Sequence, residues 1–234
     1  MTRVRRNRGV GLLPVPATPA PAAALRSPRA WTSLILGVVL VGAGLGLMID
    51  ADFGVSPADA LITGLSRTSG LSVGVVLFSL SLLMVIAAWA LGIAPAIGTL
   101  VCFVGIAIVV DLTRALTAAL GIAGWSPAAL IATWILGLAM FCAGVMGIFA
   151  SDLGTSPYDQ LVRAVALRTG RSLGFGRVVV DAMALLGALA LGGSWGIGTV
   201  VILLVVPVTL NLVLPRVHRI VHPSREDGLV PTAR

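Results

Sequence analysis

The sequence predicts an all-α fold: a polytopic membrane helix bundle of six transmembrane helices, arranged as two inverted three-helix repeats, each with a short Ser-Pro-capped helix. Three observations predict it: an apolar composition, six long apolar stretches and an internal repeat. Of the 234 residues, 58% are hydrophobic and 11% are charged, and the mean hydropathy is +1.06. Soluble domains carry about 25% charged residues, so the composition favours a multispanning membrane protein.

A helix that crosses about 30 Å of hydrocarbon needs roughly 17 to 25 mostly apolar residues. Six stretches meet this length, and Gly, Pro and Ser mark the connections between them. The fifth stretch is the least uniform because it carries two charged residues near its start. The predicted spans are residues 31–49, 73–91, 96–114, 128–149, 175–192 and 197–215.

The chain repeats itself at an offset of 100 positions, without a gap. Between residues 35–112 and their counterparts there are 23 identities in 78 positions. The repeat includes an Asp-x-Gly-x-Ser-Pro-x-Asp motif at 52–59 and at 152–159, and an Ile-Gly-Thr block at 97–99 and at 197–199. An Ala/Leu/Val/Gly-rich composition does not produce such polar blocks, so we interpret the pattern as a duplication.

Each copy contains three spans, so the second copy must start from the opposite side of the membrane to the first, and the repeat is predicted to be inverted. Arginine placement supports this orientation. All 16 basic residues are arginine; with the N-terminus inside, fourteen fall on the inner side and only Arg67 and Arg114 on the outer side. We therefore expect a multi-pass protein of the bacterial plasma (inner) membrane, with both termini cytosolic.

Four regions follow from this organisation. Residues 1–30 are Arg-, Pro- and Ala-rich and are expected to form a disordered cytosolic tail. Residues 31–116 form the first transmembrane repeat and 128–215 the second, and 216–234 form a cytosolic C-terminal tail.

The Ser-Pro motif has the pattern of a helix start. Ser56 and Ser156 fit the N-cap, the following prolines fit the first helical position, and Asp59 and Asp159 close a capping box. A mostly apolar helix is predicted from each cap to about residue 66 or 166. Ten residues span only about 15 Å, half of the hydrocarbon thickness, so neither helix can cross the membrane alone.

Two interpretations of these short helices stay open. Each could be an amphipathic surface helix whose cap only satisfies backbone donors, with the first motif in outside water. Alternatively, both could re-enter the membrane from opposite faces and point their caps at a shared central cavity. In the second case the following residues are candidates for a substrate pathway: Asp52, Ser56, Asp59, Asp152, Ser156, Asp159, Asp111 and Asn211.

Charged residues within the spans need partners, because each costs a few kcal/mol in hydrocarbon. Arg177 and Asp181 are four residues apart on one helix face and are predicted to form a structural pair near the cytosolic interface. Asp111 could pair with Arg114, or it could form a symmetric polar pair with its repeat counterpart Asn211 across a cavity.

The remaining reactive side chains predict neither a cofactor nor a metal site. Cys102 and Cys142 lie inside apolar stretches and are interpreted as small core residues. His218 and His222 have a spacing that could hold a metal on a helix, but no third ligand lies nearby in the sequence, so a solvated tail is favoured. Basic and aromatic residues are not interleaved, so nucleic acid is not expected to be a partner.

The paired Ser-Pro motifs, the Ser-x-Gly blocks at 72–74 and 172–174, and the Leu-Gly…Ile-Gly-Thr ends resemble the YczE/YyaS/YitT family of bacterial integral membrane proteins. The likeness covers roughly residues 31–215. It implies a multispanning plasma-membrane protein and supplies neither a substrate nor functional residues.

The predicted function is that of a small-solute transporter or channel with a central pathway between the repeats, because an anchor needs no such duplication. The alternative is a non-transporting accessory or regulatory membrane protein. An intramembrane enzyme is not expected, because the spans contain no Ser/His pair, metal-binding His cluster or thiolate site. The expected partners are the lipid bilayer and a small-molecule substrate, and the sequence does not determine the oligomeric state.

Overall fold

The computed structural model describes residues 22–222, without the side chains of residues 123, 211 and 215. Within this range the chain forms nine α-helices, a single 3₁₀ turn at Ile122–Gly124 and no strand. The helices are α1 Ala22–Leu25, α2 Pro28–Ala51, α3 Pro57–Ser69, α4 Val73–Ala90, α5 Ile97–Ala119, α6 Pro127–Ala150, α7 Pro157–Thr169, α8 Leu173–Ala190 and α9 Ile197–Val221.

Six of these helices, α2, α4, α5, α6, α8 and α9, are long and apolar enough to cross a membrane. Large apolar side chains are exposed on their outward faces, among them Leu83, Ile108, Leu112, Met183 and Leu186. Exposing such an apolar surface to water costs free energy, whereas lipid chains can cover it without this cost. The protein is therefore a multi-pass integral membrane protein with an all-helical fold.

The two short helices α3 and α7 begin in the same way. Each starts with a serine N-cap followed by proline, and each ends at a glycine in the left-handed conformation, Gly70 or Gly170. The chain turns into each cap through an aspartate with φ of 56°, Asp52 or Asp152. At 13 residues, each helix is about 20 Å long, too short to cross the hydrocarbon layer.

The two halves meet along α2 and α6, the most extensive helix pair in the described fold. Glycines permit this close approach: a Cβ on Gly37 would lie 2.8 Å from the Gly144 carbonyl oxygen, and one on Gly44 would lie 2.5 Å from that of Gly137. The residue number rises along α2 as it falls along α6, so the two helices run antiparallel. The small residues also admit α5, because Gly42 and Gly46 face Val109 and Thr113.

Reciprocal backbone hydrogen bonds join the start of α5 or α9 in one half to the loop before the short helix in the other half. The Gly98 N–H donates to the Leu153 carbonyl oxygen at 3.1 Å, and the equivalent Gly198 N–H donates to the Phe53 carbonyl oxygen at 2.8 Å. The short helices also exchange partners, since α3 packs against α8 and α7 packs against α4. Each half therefore completes the packing of the other.

The helices extend beyond several predicted boundaries. Helix α1 and the start of α2 lie within residues 1–30, so the disordered tail was predicted too long; residues 1–21 lie outside the described part. Helix α9 continues past residue 215 to Val221, into the predicted C-terminal tail. Helices α3 and α7 run three residues past their predicted ends, to the αL glycines that stop them.

Candidate functional site

A cavity of about 160 Å³ lies between the two halves. Both Ser-Pro motifs line it: Ser56, Pro57 and Asp59 from α3, together with their equivalents from α7. Most of the remaining wall is apolar and comes from the spans of both halves, for example Leu45, Leu77, Ile106, Phe141 and Val206. The N-terminal ends of α3 and α7 therefore converge on one space. We call it the central cavity.

Each serine and aspartate of the two caps form a closed pair. Ser56 Oγ accepts from the Asp59 backbone N–H at 3.3 Å and donates to Asp59 Oδ2 at 2.5 Å. Ser156 and Asp159 repeat this arrangement at 3.2 and 2.7 Å. The predicted capping box is therefore only half right, because the carboxylate accepts the serine hydroxyl instead of the N-cap backbone N–H. Each cap fixes a carboxylate at the cavity wall.

The second half adds a charged network to this wall. Arg177 Nε lies 3.7 Å from Asp181 Oδ2, and Arg177 Nη1 lies 3.8 Å from Asp159 Oδ1. Tyr158 donates its hydroxyl to Asp181 Oδ1 at 2.5 Å, and the Arg177 guanidinium lies over the Tyr158 ring at 5.5 Å. The pair of Arg177 and Asp181 is thus part of a four-residue network that lines the cavity.

The carboxyl group of Asp59 has no such cation. Its hydrogen-bonded partner in the described chain is Ser56, and the charge of Asp181, which has the same sign, acts on it as well. Asp59 and Asp159 lie on the short helices, outside the six spans. Burial raises the pKa of Asp59 from 3.8 to about 6, against the hydrogen bond from Ser56. Burial also raises the pKa of Asp159, although Arg177 and Ser156 oppose it.

Three other predicted pathway residues, Asp52, Asp111 and Asp152, do not line the central cavity. Asp52 is 70% exposed and lies 3.7 Å from Arg67. Asp111 accepts hydrogen bonds from the Ser72 hydroxyl at 2.5 Å and the Gly74 N–H at 2.7 Å.

Two further predictions concern the partners of Asp111. A pair with Arg114 is wrong, because Arg114 Nε lies 2.8 Å from Asp50 Oδ1. A pair with Asn211 falls on a side chain outside the described part, and Asn211 itself lies on α9.

Asp152 lies outside the cavity as well, at the end of α6. Its Oδ2 atom lies 3.2 Å from His218 Nε2 and 3.6 Å from His222 Nε2. Sequence reasoning found no third group near these histidines, because 66 residues separate Asp152 from His218. It also overlooked Tyr158, whose position next to the proline of the second motif was the available signal.

Comparison with known proteins places these features in a family. A family model described as a family of unknown function (DUF6198) matches residues 28–215. The chain belongs to the DUF6198 family. It is also 29% identical over 192 residues to the uncharacterized protein YyaS of Bacillus subtilis (strain 168), a match that covers 79% of this chain and 92% of that protein. The predicted YyaS-like membership is thereby confirmed. No solved structure matches the chain.

Proposed function

We propose that this protein is a transporter or channel for a small solute, which binds in the central cavity between the two Ser-Pro caps. The observation that carries the proposal is the convergence of both motifs on that cavity. Two half-membrane helices whose N-terminal ends face a central site are typical of inverted-repeat transporters. An anchor or scaffold gains nothing from two polar helix starts in its interior, where they cost free energy.

An inverted arrangement of the halves agrees with the helix packing. Helices α2 and α6 hold equivalent places in the repeat and pack antiparallel, through reciprocal contacts of equivalent glycines. An axis that relates two antiparallel spans lies in the membrane plane. In this arrangement α3 and α7 enter from opposite faces and do not lie on one surface. We place the protein in the plasma membrane with both termini cytosolic, following the arginine distribution.

The wall of the cavity favours a solute with an apolar part and a cationic group. Three carboxyl groups, on Asp59, Asp159 and Asp181, face a single guanidinium, on Arg177. Arg177 already contacts two of them, whereas Asp59 has only its serine. Asp59 is therefore the group that an ammonium or guanidinium of the solute would meet. None of these groups forms a nucleophile and base pair, so we propose transport without chemical conversion.

The test compares the metabolites inside and outside cells that express the wild-type chain, Asp59→Asn or Asp159→Asn, at matched membrane levels. The wild type is expected to change the distribution of at least one basic, partly apolar metabolite. Both substitutions are expected to return that distribution to the level of cells without the protein. Flux of the metabolite into proteoliposomes then checks the effect with purified protein.

Asp52→Asn is the matched control. Like Asp59→Asn, it removes one carboxyl group from the first Ser-Pro motif, but at an exposed position outside the central cavity. It is expected to keep wild-type activity. A metabolite shift that survives both cavity substitutions, or the absence of any shift, would reject the cavity as a transport site. The second result is the one expected of a non-transporting accessory protein.

A further inference from the structure

A cluster of three metal-ligating side chains lies away from the central cavity, where the end of α6 meets α9. Asp152, His218 and His222 each offer one ligand atom, and these atoms all lie within 4.8 Å of one another. The three side chains are mostly buried, with exposed fractions of 13% for Asp152, 28% for His218 and 12% for His222. His218 lies in the last turn of α9, and His222, four residues later, is the C-cap residue that ends this helix.

The spacing of these atoms suits a small divalent metal. Ligands that lie about 2.0 to 2.2 Å from a tetrahedral zinc ion are about 3.4 Å from one another. Asp152 Oδ2 lies 3.2 Å from His218 Nε2 and 3.6 Å from His222 Nε2, so two edges of such a tetrahedron are already formed. The ligand nitrogens of the two histidines form the third edge and lie within 4.8 Å of each other, so they must approach further when the ion binds.

The carbonyl oxygen of Ala150 lies next to one of these ligand atoms. It lies 3.0 Å from His222 Nε2, at the distance of a hydrogen bond donated by the ring. Metal binding requires a lone pair on that nitrogen, so the ring proton would move to Nδ1 and this hydrogen bond would be given up. Two imidazole nitrogens and one carboxylate oxygen form a donor set that zinc favours over magnesium or calcium.

The repeat shows that this cluster is not a consequence of the shared helix-capping geometry. Asp52 has the same φ of 56° as Asp152, but its side chain is 70% exposed and is near Arg67. The positions equivalent to the histidines hold Ala118 and Ile122. The second half therefore has two imidazoles beside its turn carboxylate, and the first half has none at the equivalent positions.

We propose that Asp152, His218 and His222 bind a divalent transition metal, zinc in the first instance, which ties the end of α6 to α9. The first half holds the corresponding place differently, since Asp50 on α2 pairs with Arg114 and accepts a hydrogen bond from Thr117 on α5. The metal would thus hold α6 and α9 together in the second half, as the ion pair of Asp50 and Arg114 holds α2 and α5 together in the first half. This site does not depend on the proposed transport function.

The experiment uses the full chain in detergent, purified through an affinity tag without histidines and stripped with a chelator. Zinc alone is titrated, bound metal is measured after dialysis, and thermal unfolding is followed with and without zinc. The wild type is expected to retain one zinc per chain and to unfold at a higher temperature with the metal. His218→Gln and Asp152→Asn are expected to weaken zinc binding by about a hundredfold or more, because changing a residue that only hydrogen-bonds to a metal ligand already costs about 10 to 100-fold.

Asp52→Asn is the matched control and should bind zinc as the wild type does. Each variant is first shown to be monodisperse without metal, so that a loss of binding is not a loss of fold. Should His218→Gln fail this check, His222→Gln provides the same test on the other imidazole. Zinc binding that persists in Asp152→Asn and in the histidine variants, or a wild type that retains no zinc after dialysis, would overturn the proposal.

Discussion

The two halves of the protein share a backbone frame and differ in the chemistry that they present to the central cavity. Both place a Ser-Pro cap and an aspartate at its wall, with nearly the same hydrogen bonds. The second half alone adds a phenol, a guanidinium and a third carboxylate. The three pairs of equivalent positions are Ala58 and Tyr158, Leu77 and Arg177, and Ser81 and Asp181.

This difference separates what the duplication conserves from what it leaves free to change. Glycines at the α2 and α6 crossing and the two caps must match, because each half completes the packing of the other. Cavity-facing positions outside the caps differ between the halves, as Leu77 and Arg177 show. In the second half, Asp159 Oδ1 therefore lies 3.8 Å from Arg177 Nη1. In the first half, the side-chain partner of Asp59 in the described chain is the hydroxyl of Ser56.

The largest effect is expected at the glycines where the backbones of α2 and α6 approach each other most closely. Gly44→Ala would place a Cβ 2.5 Å from the Gly137 carbonyl oxygen, and Gly144→Ala would place one 2.6 Å from that of Gly37. Backbone atoms cannot yield, so each substitution should destabilise the fold by about 2–3 kcal/mol, despite the higher helix propensity of alanine. Thermal unfolding in detergent measures the loss.

Gly124→Ala is the control, since a Cβ there meets no atom within 4 Å. It should unfold near the wild-type temperature. Gly44→Ala and Gly144→Ala should lower the free energy of unfolding by nearly the same amount, because their contacts are reciprocal. A large difference between them would show that the two halves do not contribute equally to the crossing of α2 and α6.

An intermediate effect is expected where the halves differ. Arg177→Leu, which installs the residue of the first half, leaves Asp159 and Asp181 without their cation. The cost should be about 1–2 kcal/mol, below that of breaking a fully buried ion pair, because Arg177 is 39% exposed. Adding Asp181→Ser, again the residue of the first half, should recover part of this loss.

A double-mutant cycle on thermal stability measures the coupling between these two sites. The two changes are expected to be less harmful together than the sum of their separate effects. Strictly additive losses would mean that Arg177 and Asp181 do not act as one unit.

The smallest effect is expected at the caps. Ser56→Ala and Ser156→Ala each remove the side chain that accepts from a backbone N–H, at a cost of about 1 kcal/mol. The two losses should be equal, and Ser79→Ala on an exposed helix face is the control. Unequal losses measured by thermal unfolding would mean that the network around Tyr158 contributes to the second cap.

The sequence predicted what depends on local signals or on the repeat. Ser56 and Ser156 were identified as N-caps because a proline follows each serine directly and an aspartate follows it three residues later, which is the pattern of a helix start. The spans were found from their length and hydropathy. Partners remote in the chain were not found. Arg114 pairs with Asp50 across 64 residues, not with Asp111 on its own helix, and only the folded backbone decides between two such partners.

The same limit applies to Asp152 and the central cavity. The motif placed Asp152 at a turn, but its position beside His218 and His222 depends on how α9 packs against α6. The convergence of the caps was one of two open interpretations, because a short capped helix has the same sequence on a membrane surface as in a re-entrant position. Packing of α3 on α8 and of α7 on α4 brings both caps to one cavity, and these contacts join parts of the chain too remote for a local pattern to predict.

Single-cysteine labelling in a chain that carries Cys102→Ala and Cys142→Ala tests the central claim most directly. Ser69 and Thr169 are equivalent, exposed positions at the ends of α3 and α7. Inverted halves predict that Ser69→Cys reacts with a membrane-impermeant maleimide in intact cells, while Thr169→Cys reacts only after permeabilisation. Reaction of both cysteines from the same side would contradict the inverted arrangement and the shared cavity built on it.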